Sequence, residues 1–263
     1  MKLALVVAVS LAALVALGPR AHATVQHKLV DYKQGNAVLE GYLAWDDAVK
    51  GKRPGVLVVH AWMGLDDNAR KRADMLAGLG YVAFAADIYG KGIRPKTREA
   101  AGKLAGQYKT DRKALRARVD AAFDTMIKNP MVDATKTGAI GYCFGGTTAL
   151  ELGRSGANVQ GIVTFHAGLD SPTPADGKNI KAHVLVLHGA ADPFEKADDF
   201  AAFQKEMTDS KIDWQLTEYG GAVHCFTDSG AGSDASTGCA YNPLADARSW
   251  QAMKTFFADL FGK

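Results

Sequence analysis

Short apolar runs are the feature that most restricts what this chain can fold into. Five of them occupy residues 55–60, 81–86, 137–142, 161–165 and 182–187. A strand that is buried on both faces of a sheet is apolar along its length, because neither face meets water. Segments with helical patterns separate most of these runs, which predicts a mostly parallel, twisted sheet with helices on both faces. The expected fold class is therefore α/β.

A hairpin is expected at the N-terminal edge of that sheet. Residues 25–32 and 37–45 are rich in β-forming side chains, and Gly35 and Asn36 lie between them as turn residues. The hairpin would add antiparallel strands to the parallel ones. No linker, repeat or low-complexity tract interrupts residues 24–263, which we expect to form a single domain.

The first 23 residues differ in character from the rest. They combine a basic start, an apolar run at residues 3–17 and the small-residue cleavage pattern Ala21-His22-Ala23. This order is typical of a secretory signal peptide, and the apolar run is short for an uncleaved membrane anchor. We expect residues 1–23 to be removed by cleavage before Thr24, followed by export to the periplasm or the medium without further membrane association.

The charge balance gives no support for a nucleic-acid partner. Without the predicted signal peptide, 29 Lys and Arg stand against 28 Asp and Glu, and no basic cluster stands out.

Three cysteines leave at least one thiol unpaired within the chain. Cys225 and Cys239 flank a loop rich in Gly, Ser and Asp and could form a disulfide, which would leave Cys143 free. Two unpaired loop thiols are an equally open alternative.

Residues 141–146, which read GYCFGG, join the central apolar run to a helical segment of small residues that starts near residue 147. A strand, a sharp turn with a reactive side chain and a helix define a nucleophile elbow, here with Cys143 at its apex. Gly141 and Gly145 fit, because the turn brings these two positions close together. The helix N-terminus would favour a thiolate. A buried cysteine in a glycine-rich turn is the alternative.

An acid and a base candidate follow this elbow in the order nucleophile, acid, histidine. Asp192 follows the run at 182–187, and His224 follows the last predicted strand, residues 212–219, through a glycine-rich turn. Catalytic groups are expected in such loops, because ligands bind at the carboxyl ends of strands in open α/β sheets. Asp192 could instead cap a turn. The other histidines at strand ends, which we expect to satisfy turns or line the pocket, are His60, His166 and His188.

Together, Cys143, Asp192 and His224 predict a thiol hydrolase. His224, oriented by Asp192, would take the thiol proton, and the thiolate would attack an ester or lactone carbonyl to give a thioester acyl-enzyme. The backbone N–H groups of Phe144 and Trp62 would hold the oxyanion. A thiolate expels an unprotonated amine poorly, so small-molecule esters and lactones are the expected substrates. We expect a monomer that uses no cofactor and no metal.

Five stretches carry a resemblance to a known family. They read VVHAWMGL at 58–65, DIYG at 87–90, GYCFGG at 141–146, HGAADPF at 188–194 and YGGAVHCF at 219–226. With these, the chain resembles the dienelactone hydrolase family (carboxymethylenebutenolidase-like) of α/β-hydrolases over nearly all of residues 24–263. The resemblance implies an α/β-hydrolase fold and the same triad and oxyanion-hole residues.

Two positions depart from the family pattern. Ala61 stands where members usually carry a carboxylate that interacts with the cysteine and helps to control thiolate formation. The member that acts on dienelactone binds the substrate carboxylate with arginines, whereas the matching region after Tyr89 offers Lys91, with Arg94 near by. Ala61, Tyr89 and Lys91 are the predicted substrate-contacting positions, and a neutral ester or lactone fits as well as an anionic one.

A non-catalytic protein is the rival hypothesis. The alanine at position 61, the missing arginines and three cysteines in an exported chain would also suit a small-molecule-binding or redox protein that keeps the fold. A reactive thiolate near neutral pH would favour the hydrolase, and an inert thiol would favour the binding protein. The ordered elbow, acid and histidine favour the hydrolase, since a binding protein needs none of them.

Overall fold

Eight strands form one continuous sheet in the computed structural model, which describes residues 24–262. They are β1 (Val25–Gln34), β2 (Ala37–Asp46), β3 (Arg53–Val59), β4 (Val82–Ala86), β5 (Val132–Tyr142), β6 (Gly161–Phe165), β7 (His183–Gly189) and β8 (Trp214–Tyr219). Their order across the sheet is β1-β2-β4-β3-β5-β6-β7-β8. β2 pairs antiparallel with β1 and β4, and the other neighbours pair parallel. The predicted parallel sheet with an antiparallel N-terminal edge is confirmed.

Helices cover both faces of the sheet. Those of the described chain are α1 (Asp67–Gly78), α2 (Arg98–Thr110), α3 (Arg112–Ile127), α4 (Phe144–Arg154), α5 (Ala197–Asp209) and α6 (Pro243–Phe261). Successive side chains of a strand point to opposite faces. Val56 and Val58 of β3 therefore pack in a core cluster with α1 and α6, whereas Leu57 and Val59 pack in a second cluster with the other four helices. The predicted α/β class is confirmed.

Two elements begin three or more residues before their predicted start. β5 begins at Val132 instead of residue 137, because Val132 and Asp133 already pair with β3 before a shift in register. α4 begins at Phe144, directly after Cys143, instead of near residue 147. The two glycines in its first turn obscure its start in the sequence, since glycine is a poor helix former.

The predicted signal peptide, residues 1–23, lies outside the described residues. Across residues 24–262, no helix has both the length and the apolarity that crossing a bilayer requires.

A buried ion cluster attaches α4 to α5. The fully buried Arg154 places Nη2 2.6 Å from Glu206 Oε2 and Nη1 3.0 Å from Glu151 Oε1. Arg116 on α3 adds a contact of 2.7 Å between its Nε and Glu151 Oε2. Buried charges are tolerated when they are paired, so this cluster fixes the helix that follows Cys143.

Removal of one member of the cluster should be costly. We expect Arg154→Met to lower the free energy of unfolding by ~3–5 kcal/mol, because Glu206 would stay buried without its charge partner. Lys205→Met, which breaks the exposed pair with Asp209 on α5, should lower it by less than about 1 kcal/mol. Urea denaturation measures both free energies. Losses of equal size would show that the buried cluster does not hold α4 in place.

Candidate active site

Cys143 occupies a strained turn between β5 and α4. Its φ of 53° and ψ of −118° lie in a region that residues other than glycine rarely adopt. Its N–H donates to Phe165 O at 3.0 Å, and its carbonyl oxygen accepts from Gly146 N–H at 2.9 Å. These bonds maintain the strained backbone, which has the strand-turn-helix layout of a nucleophile elbow.

Close backbone approaches explain the two glycines of the turn. A Cβ at Gly141 would collide with the carbonyl of Gly145, and a Cβ at Gly145 would collide with the carbonyl of Val59 in β3. The close approach that the sequence spacing predicts is therefore present, and it also brings the elbow against the neighbouring strand.

His224 lies between Asp192 and Cys143. Asp192 is in the loop after β7, and His224 is in the turn after β8. The Nδ1 of His224 is 2.6 Å from Asp192 Oδ2, and the Nδ1–H donates this bond. Nε2 remains for the hydrogen bond between His224 and the Cys143 thiol. A second donor, Phe194 N–H, holds Asp192 Oδ1 at 2.9 Å. The structure thus brings the three predicted triad residues into one hydrogen-bonded row.

The charges of this row stabilise one another. Burial alone would raise the pKa of the Cys143 thiol, but the positive charge and hydrogen bond of His224, the Phe144 N–H and Lys109 bring it below its ordinary value. Burial alone would lower the pKa of His224, but Cys143 and Asp192 raise it to about 10. His224 likewise holds the pKa of Asp192 low against the effect of burial. These opposed shifts favour a thiolate, an imidazolium and a carboxylate.

Two of the other histidines at strand ends satisfy turns, as predicted. His60 Nε2 accepts from Ile88 N–H at 3.2 Å, and its Nδ1–H donates to Ala61 O at 2.6 Å. Burial lowers the pKa of His60 to about 4, which matches this neutral tautomer. His166 Nε2 lies 2.8 Å from Thr227 Oγ1.

His188 lies beside the acid. Its Nε2 is 3.6 Å from Asp192 Oδ2, and neither ring nitrogen has a hydrogen-bond partner within residues 24–262. Burial lowers the pKa of His188. A neutral His188 leaves the charge of Asp192 to be compensated by His224.

A cavity of about 420 Å³ opens onto the thiol. Cys143, His224 and both predicted oxyanion-hole residues, Trp62 and Phe144, line it. The Trp62 carbonyl accepts a hydrogen bond of 2.9 Å from the Tyr89 hydroxyl, which fixes the loop after β3. The Phe144 N–H, at the start of α4, is close enough to the Cys143 sulfur to lower the pKa of the thiol. The backbone donor after the cysteine therefore lies near the reactive atom.

The other predicted substrate-contacting residues, Ala61, Tyr89 and Lys91, do not line this cavity. Ala61 packs against the core cluster of α1 and α6, and the buried Tyr89 supports Trp62 from behind. Lys91 Nζ is engaged by two carboxylates, at 2.6 Å from Asp31 Oδ2 and 3.3 Å from Glu40 Oε2. Because its charge is already neutralised at the N-terminal hairpin, Lys91 is a poor candidate for binding a substrate anion.

The cationic groups on the cavity wall come from α2 instead. Arg98 and Lys109 line the cavity together with the small residues Gly102, Ala105 and Gly106. These positions share one face of a helix, because they follow a spacing of three and four residues. That spacing is a signal that sequence reasoning missed.

Glu195 is a second missed residue of the cavity wall. Its Oε1 accepts from Leu169 N–H at 2.8 Å, and burial raises the pKa of the carboxyl to about 7. It lies three residues after Asp192, in the same loop.

Cys225 and Cys239 form a disulfide, which leaves Cys143 as the free cysteine. The open alternative of two unpaired loop thiols is therefore wrong. Both half-cystines lie on the cavity wall. No group of three or more His, Cys, Asp or Glu side chains in the described part of the chain is arranged to hold a metal ion.

The sheet order and the elbow after β5 define the α/β-hydrolase fold. A model of the dienelactone hydrolase family matches residues 39–261, and the chain belongs to that family. The resemblance seen in the sequence is confirmed, and with it the assignment to enzymes that hydrolyse esters or lactones.

Three similar proteins illustrate this relationship. The solved structure of m3DLH is 46% identical, with a TM-score of 0.87, over 90% of this chain and 98% of that one. A dienelactone hydrolase-like promiscuous phosphotriesterase from metagenomic libraries is 41% identical, with a TM-score of 0.85 and the same coverage. A Bradyrhizobium protein named "Probable 2-oxo-3-(5-oxofuran-2-ylidene)propanoate lactonase" is 30% identical, over 77% of this chain and 82% of its own.

A side chain at Gly141 should disrupt the elbow. We expect Gly141→Ala to lower the free energy of unfolding by about 3 kcal/mol or more, because its Cβ meets the backbone of Gly145, which cannot rotate away. Gly78→Ala, at the end of α1 with nothing within 4 Å of its Cβ, should be neutral or slightly stabilising. Chemical denaturation checks both, and a Gly141→Ala protein as stable as the parent would contradict the close approach.

Proposed function

We propose that this protein is an exported thiol hydrolase of small esters or lactones, in which Cys143 is the nucleophile, His224 the base and Asp192 the group that orients His224. The observation that carries the proposal is the hydrogen-bonded row of these three side chains on the wall of one cavity. A strained backbone at Cys143 adds weight, since strain of this kind clusters at active sites.

In the first half of the reaction, the Cys143 thiolate attacks the carbonyl carbon and the carbonyl oxygen becomes an oxyanion. The N–H groups of Phe144 and Trp62 stabilise that charge. The intermediate collapses to a thioester, and the His224 imidazolium gives its proton to the leaving alkoxide. His224 is then neutral and ready to act as a base.

In the second half, His224 takes a proton from water, and the resulting hydroxide attacks the thioester carbonyl. Collapse of this second oxyanion expels the Cys143 thiolate and releases the carboxylic acid. The thiolate and imidazolium are restored together. Asp192 keeps its negative charge throughout and stabilises the imidazolium.

Thiolate formation in this proposal needs no carboxylate at position 61. The largest favourable contributions to the thiolate come from His224 and the Phe144 N–H, with Lys109 adding a positive charge from α2. The thiolate is therefore favoured even though position 61 carries an alanine in place of the family carboxylate. This is the observation that favours the hydrolase over a non-catalytic binding protein.

Export rests on two independent features. Residues 1–23 have the pattern of a signal peptide. The Cys225–Cys239 disulfide is the second feature, because disulfides persist in oxidising compartments and are rare in the cytosol. The expected monomer stays a prediction.

Loss of the nucleophile should abolish turnover. We expect Cys143→Ala to lower kcat/KM for a chromogenic short-chain ester and for a small lactone by at least about 10³-fold, since binding and the oxyanion hole alone retain only residual catalysis. Mass spectrometry of the parent under rapid quench should detect the acyl adduct on Cys143. Equal rates in the two proteins would refute the proposal, and tight binding without turnover in both would favour the non-catalytic alternative.

The pH dependence of thiol alkylation should report the charged pair. Iodoacetamide should react with Cys143 at a pH below that needed for a free thiol of pKa ~8.5, because His224 stabilises the thiolate. Asp192→Asn removes the charge that keeps His224 protonated, so the pKa of His224 should fall and that of Cys143 rise. The alkylation rate at pH 7 should then drop, with a smaller difference at pH 10. Identical profiles would show that Asp192 does not support the pair.

A further inference from the structure

The segment 237–240, called here the bracing segment, binds the backbone of His224 on both sides. His224 N–H donates to Gly238 O at 3.0 Å, and Ala240 N–H donates to His224 O at 3.0 Å. The histidine turn and the bracing segment form a short parallel β-bridge between His224 and Cys239. The bracing segment therefore fixes the position and direction of the His224 backbone.

A covalent bond ties the bracing segment to the residue next to His224. Cys225, at a φ of 61°, is joined to Cys239 in the middle of the segment. Phe226 and Thr227, at the start of the intervening loop, are buried, whereas residues 229–237 are mostly exposed and contain two short 3-10 turns, Ser229–Ala231 and Ala235–Thr237. The exposed part has few buried contacts of its own, so the disulfide is a covalent constraint on where the segment returns, beside the hydrogen bond of 2.7 Å from Tyr241 N–H to Gly232 O.

The bracing segment also touches the loop that carries Asp192. Gly238 has a φ of 77°, and a Cβ there would lie 2.7 Å from Pro193 Cγ and 3.1 Å from Phe194 Cζ. Phe194 N–H holds Asp192 Oδ1, and the Phe194 ring lies edge-on to His224 with centroids 5.5 Å apart. One four-residue segment thus contacts both the acid loop and the histidine turn.

We infer that the disulfide-anchored bracing segment positions His224 between Asp192 and Cys143, and that opening the Cys225–Cys239 bond weakens the hydrolase. The inference rests on the proposed function. Both half-cystines line the cavity and are partly exposed, so a small dithiol can reach them. The dithiol supplies two electrons and two protons, the S–S bond breaks to give two thiols, and the reductant leaves as its own cyclic disulfide.

A displaced His224 ring would lose its contacts with the titratable groups that face it. These groups are the Asp192 carboxylate, the Cys143 sulfur and the His166 ring, whose centroid is 5.0 Å away. His188 is neutral beside Asp192, and Lys109 faces Cys143 from α2. A shift of His224 away from Cys143 would remove the nearest positive charge from the thiolate and so raise the pKa of the thiol.

The main experiment compares the parent with the Cys225→Ser/Cys239→Ser variant. Cys143 is the one alkylatable thiol in each, because the chain has three cysteines and the parent pairs the other two. We expect the iodoacetamide rate at pH 7 to fall about 10-fold, which corresponds to a pKa shift of about one unit, and the rates to converge near pH 10. Ester turnover should lose kcat with little change in KM. Dithiothreitol should produce the same loss of kcat in the parent.

A general loss of stability must be excluded. Met253→Ala opens a cavity in the core cluster on the α1 and α6 face and should lower the melting temperature without changing the alkylation profile or kcat. A double-serine variant with a lower melting temperature but the parent's profile and kcat would overturn the inference. So would a Met253→Ala variant that reproduces the shifted profile.

A second comparison tests the contact with the acid loop. Gly238→Ala and Gly232→Ala each place an alanine where φ is positive, 77° and 76°. The added Cβ collides with Pro193 at position 238 and meets nothing within 4 Å at position 232. We expect kcat to fall about 10-fold or more in Gly238→Ala and to stay near the parent's in Gly232→Ala. Equal effects would overturn the inference. An active Cys143→Ala protein would instead refute the proposed function itself, so the two failures are distinguishable.

Discussion

The attraction between the Cys143 sulfur and the His224 ring is the interaction on which the rest of the site depends. Burial works against a charge on either group, since it disfavours the thiolate and the imidazolium alike. Each charge is tolerated because the other is within hydrogen-bonding distance. A pair of this kind titrates as a unit, and its strength depends steeply on geometry. The strained turn at Cys143, the Asp192 bond and the bracing segment all act on that geometry.

The sheet explains how three distant residues of the sequence reach one row. Parallel strands deliver their carboxyl ends to the same edge, and β5, β7 and β8 lie within four neighbouring strands of the sheet. Each of the three loops then needs only a short turn to present a side chain above the edge. The close approach at Gly145 holds the start of α4 against this edge, and the buried Arg154 cluster anchors the other end of the helix.

The sequence was sufficient for the fold and for the candidate triad because both depend on local patterns. Continuous apolar runs identify the buried strands, and Cys143 and Asp192 each follow one. His224 follows β8, a less apolar strand at the edge of the sheet, and completes the required order. The role of Lys91, by contrast, could not be predicted from a local pattern. Its ion pairs with Asp31 and Glu40 depend on how the N-terminal hairpin packs beside β4, which no local pattern encodes. The disulfide was undecided for a similar reason: its Cα–Cα separation of 5.0 Å exists only in the folded chain. Arg98 and Lys109, by contrast, could have been found from their shared helix face.

The alanine at position 61 changes how a thiol like this one is controlled. A carboxylate beside Cys143 would repel the thiolate and could keep the thiol neutral until substrate arrived. In this chain the charges of His224 and Lys109 both lower the pKa of Cys143 and so favour the thiolate. The thiolate is also the form of a cysteine that is most readily oxidised. The Cys225–Cys239 bond removes the two other thiols of the cavity wall as partners for oxidation. On the proposed mechanism, the disulfide therefore has two effects on Cys143. It positions His224, the base, and it leaves no second free thiol with which an oxidised Cys143 could form a disulfide.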